Sequence, residues 1–496
     1  MKADKKSIFK NLVRFVVPVM GAGLLGTGCQ TYQQQNKVIA YWHQGDVTNA
    51  IAAATKEADD HANGKDAIVW RLEQGAVLRA AGRYEDSNQA FDQAQQKIDD
   101  YAQRAKVRLG QETGALLSNQ ANLDYEGRGY DGIMLNTYRA LNYLALGQID
   151  NARPEIIRAY QRQQDAVEDN ARRIAKTQAE AAQSKDKATM DKAEQNPQFQ
   201  AQLQNSMTNF NDIKVYSNYV NPFTVYLDGI YFMANAQSGS DLERAHKSLS
   251  RVTGFVPDNE YVKQDLAAVN GLINGQPLTP TTYVIFESGC APVREQIRID
   301  IPIIFSKVSY VGAAFPTIRL QGNFLRELTV TANGVNYRTE TVCSMDGIVV
   351  QDYKNALPIV ITKTIAATVT KAVAAYAANQ AAQQAGGDLG GLLMQLGTAV
   401  FQMAVNIADT RTWTTLPKEF QICRFPTPAD GRITLSTPNG ISLTVALAGA
   451  ANGAKIDLTS TGGVQASLNA GSLVNVVYVK SIDYGTPLLV SQFKLK

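Results

Sequence analysis

Apolar and polar positions divide this chain into blocks of different period. From Val38 to about residue 273, apolar residues recur every three to four positions, the spacing that gathers them on one side of an α-helix. Within this block a pattern repeats: Gly82-Arg83-Tyr84 is followed by Ser87, Phe91 and Ala94, and Gly147-Gln148-Ile149 by Ala152, Ile156 and Ala159, at identical offsets. Partial copies stand at Gly45-Asp46-Val47 with Ala50, and at Leu242 with Ala245, Leu249, Val252 and Pro257. Glycine lets the chain reverse between two helices, the bulky residue after it packs into the pair, and small residues let the helices cross closely. Residues 160–208 keep helical composition but lose the apolar face. Gln, Ala, Lys, Arg, Asp and Glu dominate there, which predicts long solvated helices standing off the body.

The period changes after Gly275-Gln276-Pro277-Leu278-Thr279-Pro280, a run of helix breakers. β-branched and alternating runs predict strands at Thr282–Phe286, Gln296–Phe305, Lys307–Val311, Leu328–Val335 and Glu419–Arg424, with Asn333-Gly334 as a hairpin turn. Between them lie two Ala-rich helical runs, Leu357–Gln384 and Leu389–Ala408, expected as a hairpin buried against the β-structure. The second has no charge and is long enough to span a bilayer, yet Gln395, Gln402 and Asn406 interrupt it and no aromatic or basic belts flank it. After Pro426-Thr427-Pro428 the chain predicts only short strands, from Arg432–Ser436 to Leu488–Leu495, suggesting a small sandwich or barrel.

Gly82 and Gly147 lie 65 residues apart, about twice the ~34-residue period of a tetratricopeptide repeat. Between these copies stand Tyr125-Glu126-Gly127-Arg128-Gly129-Tyr130-Asp131 and Leu135-Asn136-Thr137-Tyr138-Arg139-Ala140-Leu141-Asn142-Tyr143-Leu144. Further on come Tyr283-Val284-Ile285-Phe286-Glu287-Ser288-Gly289-Cys290-Ala291-Pro292-Val293 and Ala408-Asp409-Thr410-Arg411-Thr412-Trp413-Thr414-Thr415-Leu416-Pro417. In this order the motifs resemble an uncharacterised family of tetratricopeptide-containing bacterial lipoproteins, over roughly residues 38–426. The resemblance implies a helical repeat half and a lipid anchor, and carries over no catalytic residue.

The N-terminus agrees with that resemblance. Lys2, Lys5, Lys6, Lys10 and Arg14 precede an apolar run from Phe15 to Leu25, the order of a secretory signal and too short to cross a bilayer. Leu25-Gly26-Thr27-Gly28-Cys29 resembles a bacterial lipobox, with Gly26 where leucine is usual; the alternative is an ordinary secretory signal cut nearby. Cys29 is the expected lipidation site, and Gln30, in place of an aspartate, favours the outer membrane, facing the periplasm.

Composition then narrows the chemistry. The chain carries +3 overall; removal of residues 1–28, with five cations and Asp4, leaves −1. A near-neutral chain without dense Lys/Arg runs has no electrostatic footprint for nucleic acid. Cys290, Cys343 and Cys423 permit at most one disulfide within a monomer, and His43, His61 and His246 are the only histidines. No spacing of these suggests a metal site, and no cofactor is expected. Gly21-Ala22-Gly23-Leu24-Leu25-Gly26 matches a dinucleotide fingerprint but lies inside the signal and follows no strand. No phosphate-loop, Gly-x-Ser-x-Gly or His-Glu-x-x-His motif occurs.

The sequence therefore predicts an α+β multidomain protein. Its expected parts are a signal at 1–28, a lipidated tether at 29–37 and a tetratricopeptide-like α-solenoid at 38–273 with charged helices at 160–208. A linker at 274–281 leads to a mixed α/β domain at 282–426 with an Ala-rich hairpin at 357–408, then a β-rich domain at 427–496. The expected function is a non-enzymatic periplasmic scaffold or adaptor that binds a protein partner in the cell envelope. An accessory subunit of a peptidoglycan-synthesis or export machine and a periplasmic enzyme are the alternatives. In the repeat register Arg79 and Thr137 are expected to face a partner-binding groove, as the first helix of each pair lines it. Asp409, Arg411 and Trp413 form either a recognition edge or a packing corner with the Trp buried and the Asp/Arg pair hydrogen-bonded.

Overall fold

A computed structural model describes residues 37–107, 120–217, 219–302, 310–385, 407–447 and 473–496. The expected signal, the tether with Cys29 up to residue 36, residues 303–309 of the strands expected at 296–305 and 307–311, the second Ala-rich run through residue 406 and the run of expected short strands from 448 to 472 lie outside the described residues. Among the described residues the protein is α+β, with an N-terminal helical region followed by strands that form sheets of five, two and four.

After a helical segment at residues 37–43 come α1 (Val47–Asp60), α2 (Ala67–Ala80), α3 (Tyr84–Val107), α4 (Asp131–Ala145) and α5 (Ile149–Ala182). They are followed by α6 (Lys187–Glu194), α7 (Pro197–Asn205), α8 (Pro222–Ala234), α9 (Gly239–Phe255) and α10 (Glu260–Ile273). The repeated glycines make one and the same turn. Gly45, Gly82 and Gly147 have φ of 72°, 73° and 71°. The Gly82 N–H donates to Arg79 O at 2.9 Å and the Arg83 N–H to Leu78 O at 3.0 Å, and the other two turns repeat this pair of bonds. This left-handed cap satisfies carbonyls that the end of a helix would otherwise strand. The turn after α8 lacks the glycine; there Asn235 Nδ2 donates to Leu495 O at 2.8 Å, tying the turn to the C-terminal strand.

Helices α2, α4 and α8 are buried around almost their whole circumference. Only Arg71 in α2, and Tyr143 and Ala145 in α4, escape full burial, and none of α8 does. Each lies between its neighbouring helices and the β-structure, so the amphipathic pattern expected of a half-exposed helix gives way to buried polar groups such as Glu73, Asn136 and Asp228.

The strands are β1 (Thr281–Ser288), β2 (Val293–Pro302), β3 (Tyr310–Arg319), β4 (Thr329–Ala332), β5 (Val335–Arg338) and β6 (Glu340–Ser344). After helix α11 (Met345–Ala385) come β7 (Glu419–Pro426), β8 (Arg432–Ser436), β9 (Ser442–Ala446), β10 (Val474–Ser481) and β11 (Leu489–Lys494). The central sheet runs β11-β10-β1-β7-β6. Strand β1 is parallel to β10, with Ser288 opposite Ser481, and antiparallel to β7. Both β1 and β10 are buried along their whole length, as strands covered on two faces must be. The β4–β5 hairpin turns on Asn333 and Gly334, at φ 52° and 76°.

Two expectations change here. The described strands of residues 427–496 do not close on themselves as a sandwich or barrel: β8 and β9 extend the β5-β4 ribbon, and β10 and β11 complete the sheet begun by β1. The reason is non-local: β1 has two strand-pairing edges, and β7 takes one while β10 takes the other. The first Ala-rich run, from Leu357, is the last two thirds of α11, a 41-residue helix that starts at Met345 and runs through Pro358. Its Met345–Val373 stretch is long and apolar enough to cross a membrane, with half of the most apolar window buried inside the protein.

Among the described residues the core has three parts. The largest joins α2, α4, α8 and α9 to the central sheet. A second is built from Ala181, Met190, Phe199 and Leu203 of the polar helices, Ile299, Ala313 and Phe315 of the β2–β3 hairpin, and Ile365 and Val369 of α11. The charged helices at 160–208 therefore do not stand alone in solvent; with the hairpin and α11 they form an arm with its own core. The third core packs Val38, Trp42, Val47 and Ala50 against Cys290 and Ile482 at the end of the central sheet.

Candidate functional site

The motifs that stand far apart in sequence meet at the junction of the helices and the central sheet. The loop before α4 lies against residues 409–415. Arg128 Nη2 donates to Asp409 Oδ2 at 3.0 Å and to Arg411 O at 2.9 Å, and the hydroxyls of Tyr130 and Thr412 share a bond of 2.9 Å. Arg411 reaches back to the helices, donating from Nη1 to Asp66 Oδ1 at 3.0 Å and to Leu123 O at 2.9 Å. Its own Nε holds Asp409 Oδ1 at 2.8 Å. The third motif joins through Ala291, whose N–H donates to Leu416 O at 2.8 Å. Alongside, Arg294 pairs with Asp352 of α11 at 2.8 Å, and Asp352 also accepts from Gly129 N at 3.2 Å.

Glu73 in α2 anchors the other side of this segment. Its carboxylate accepts from the backbone N–H and hydroxyl of both Thr414 and Thr415, at 2.6, 2.6, 3.2 and 2.7 Å. Burial pushes the Glu73 carboxyl above its ordinary range even against those bonds. Between the two anchors Trp413 is wholly buried against Phe91 and Tyr138, with ring centroids 5.7 and 5.8 Å away, and its indole N–H donates to Thr415 Oγ1 at 3.0 Å. Burial pushes Asp131 up to about 7, although the Arg128 N–H and the Tyr125 hydroxyl donate to it. Burial would also raise Asp409, but the charges of Arg128 and Arg411 hold it well below the usual carboxylate range.

Next to this junction lies a polar cavity between α2, α4 and strands β1, β10 and β11. Arg79 is its centre: Nη1 donates to Asn142 Oδ1 at 2.8 Å, and the guanidinium lies 4.6 Å from the ring centroid of Tyr478 and 5.2 Å from that of Tyr138. Asn142 in turn donates to Ser87 Oγ and Asn88 Oδ1, both at 2.9 Å. Glu287 accepts from Tyr478 and, at 2.5 Å, from Lys480. Burial raises this carboxyl, and the charges of Lys480 and Arg79 overcome it and leave it lowered. The free space here is about 20 Å³, room for a water or two and more than tenfold short of the ~300 Å³ from which small-molecule sites start.

The residues singled out from the sequence therefore turn inward. Arg79 does face the inner side of the helices, but the protein's own β10 and β11 occupy that side. Thr137 faces no groove: it is fully buried, donating to Ile133 O and sharing a bond with Thr224, both at 2.8 Å. Asp409, Arg411 and Trp413 form the packing corner, not an open recognition edge. The roles of Glu73, Asp131, Arg294 and Asp352 escaped sequence reasoning; Asp131 stood only as a member of a quoted motif, and Glu73 shares its helix with Arg71 and Arg79, so its charge gave no distinct signal. Cys290, Cys343 and Cys423 are buried free thiols, and burial pushes the first two up to about 12. Comparison of the chain with protein-family models, with curated proteins and with solved structures finds no match.

Proposed function

We propose that the chain is a periplasmic scaffold of the cell envelope, held at the outer membrane by lipid on Cys29. Its tetratricopeptide-like repeats clasp the protein's own β-structure instead of taking a partner into their groove. The observation that carries this reading is the burial of α2, α4 and α8 along almost their whole length against the protein's own elements. A helical solenoid ordinarily keeps that face for its partner. Here it serves rigidity, and partner contacts fall on outward surfaces. The arm is the surface best placed for them, because α6 and α7 carry an exposed polar face supported by a separate core.

The test is in-cell photo-crosslinking of the full-length protein with the probe at Lys192 or Gln200 on the arm, or at Glu85 on α3, all three exposed. Recurrent capture of envelope proteins from the arm positions supports the scaffold and names the machine it serves. Capture from Glu85 alone moves the partner surface to the repeats, and empty capture at native abundance favours an enzyme. Cys29→Ala is expected to release the protein from the membrane fraction; unchanged retention removes the lipid tether from the proposal.

A further inference from the structure

At the edge of the third core three side chains meet whose chemistry belongs to a metal centre. The central sheet contains one parallel pair, β1 with β10, in which Ser288 lies opposite Ser481. Cys290 and Asp483 follow two residues beyond these partners, so both leave the sheet side by side at the carboxyl ends of neighbouring parallel strands. His43 arrives from the helical segment at 37–43 and places Nδ1 3.0 Å from Asp483 Oδ2. One donor atom from each of His43, Cys290 and Asp483 lies within 4.8 Å of the other two.

Local structure fixes this arrangement. The Gly45 turn just after His43 packs on Thr486, and a Cβ at Gly45 would sit 3.3 Å from the Thr486 side chain. Thr486 Oγ1 in turn accepts from the backbone N–H groups of Ile482 and Asp483 at 3.2 and 3.0 Å, shaping the loop that presents Asp483. Gly289, at φ 70°, donates its N–H to Ser481 O at 2.9 Å and turns Cys290 off the end of β1. Beside the sulfur lies the buried indole N–H of Trp42, close enough to lower the thiol's pKa as a donor to it. An N–H in that position is a donor suited to a thiolate. Lys480, the cation whose charge acts on the sulfur, is paired with Glu287 at 2.5 Å.

We propose that His43, Cys290 and Asp483 form a binding site for one divalent transition-metal ion of the zinc class. One sulfur, one imidazole nitrogen and one carboxylate oxygen suit zinc or cobalt and not calcium or magnesium, which take oxygen ligands. Tetrahedral bonds of about 2.0–2.3 Å set ligand atoms roughly 3.3–3.7 Å apart, so His43 and Asp483 part slightly and the sulfur moves inward. Three protein ligands leave a fourth position for water, and the part-exposed side chains of His43 and Asp483, at 28% and 14%, give the ion a way in. Binding replaces the Cys290 S–H by a metal–thiolate bond and releases that proton to solvent. This site is independent of the envelope reading above.

The probe is Co2+ added to the reduced full-length protein, read by absorption, with Zn2+ competition to place the natural ion. The expected result is a thiolate-to-cobalt charge-transfer band that saturates at one ion per chain and is bleached by Zn2+. Cys290→Ser is expected to abolish the band while Cys343→Ser keeps it. His43→Ala and Asp483→Asn are expected to weaken binding by roughly 10–100-fold or more, while the metal-free protein stays folded with its unfolding midpoint lowered only by the loss of the part-exposed His43–Asp483 bond. Should Cys290→Ser fail to fold, the two part-exposed variants decide the matter on their own. No charge-transfer band in the wild type, a band that survives Cys290→Ser, or undiminished affinity in both His43→Ala and Asp483→Asn overturns the site.

Discussion

The body and the arm of this protein use the same elements to different effect. In the body, aromatic rings pack in a continuous core: Trp413 against Phe91 and Tyr138, Phe223 stacked on Phe420 with centroids 4.0 Å apart, Phe210 edge-on to Tyr353. Buried charges there are tied by several bonds each, as around Glu73 and Arg411. In the arm, the core is mostly alanine and branched aliphatic side chains, with Phe199 and Phe315 as its only ring pair among the described residues, centroids 5.9 Å apart. Since stabilisation scales with apolar surface removed from water, a small core drawn from three distant segments opens at lower cost than a large one. On that ground the arm is expected to open separately from the body.

Substitutions test this contrast directly. Trp413→Ala removes the largest buried side chain at the junction, and its expected cost is about 3–5 kcal/mol. The urea midpoint should fall for the whole body with the slope unchanged. Phe199→Ala deletes a ring of comparable burial, but the loss should stay local: hydrogen exchange is expected to accelerate in α6, α7 and the β2–β3 hairpin while α2, α4 and α8 keep their protection. Equal acceleration everywhere would show that body and arm open as one.

Smaller effects probe the polar ties of the body. Burial lifts Asp131 from an ordinary 3.8 to about 7, so the folded state holds a proton the unfolded state has lost. The stability this gives is full below pH 3.8 and is lost as pH rises to about 7. Asp131→Asn has no proton to lose there; between pH 5 and 7 the wild type is expected to lose about 2 kcal/mol relative to it. Parallel melting curves for the two across that range would refute the shift. Glu73→Gln puts an NH2 in place of one carboxylate oxygen and leaves the backbone N–H of Thr414 or Thr415 without its acceptor, at an expected cost of about 1–3 kcal/mol in urea unfolding. Gly82→Ala forces a Cβ into left-handed φ and is expected to cost about 1 kcal/mol, read as a lowered melting midpoint.

Much of the local structure was legible in the residues. The repeated glycines marked the turns because a left-handed cap is a property of a few adjacent residues, and Asn333-Gly334 marked its hairpin for the same reason. β8 came out at Arg432–Ser436 as expected because alternation and its turn residues are local too. The candidate groups were legible only as residue types. Arg79 and Thr137 looked available for a partner, and Asp409, Arg411 and Trp413 either for a partner or for a packing corner; each is taken up by contacts within the protein.

By itself the sequence determined the helix-then-strand order, the glycine-capped helix pairs, the break near residue 275 and a near-neutral chain without a dense basic run. Only the tertiary structure decided that β10 would cross from the C-terminal stretch to lie parallel to β1, and that the inner side of the helices would be filled from within. It also decided that positions 43, 290 and 483 would meet. Helix periodicity and turn chemistry act over a few residues and leave their mark in the sequence. Strand partners and ligand sets join residues hundreds of positions apart, and no local spacing records the choice among the edges a buried strand could pair with.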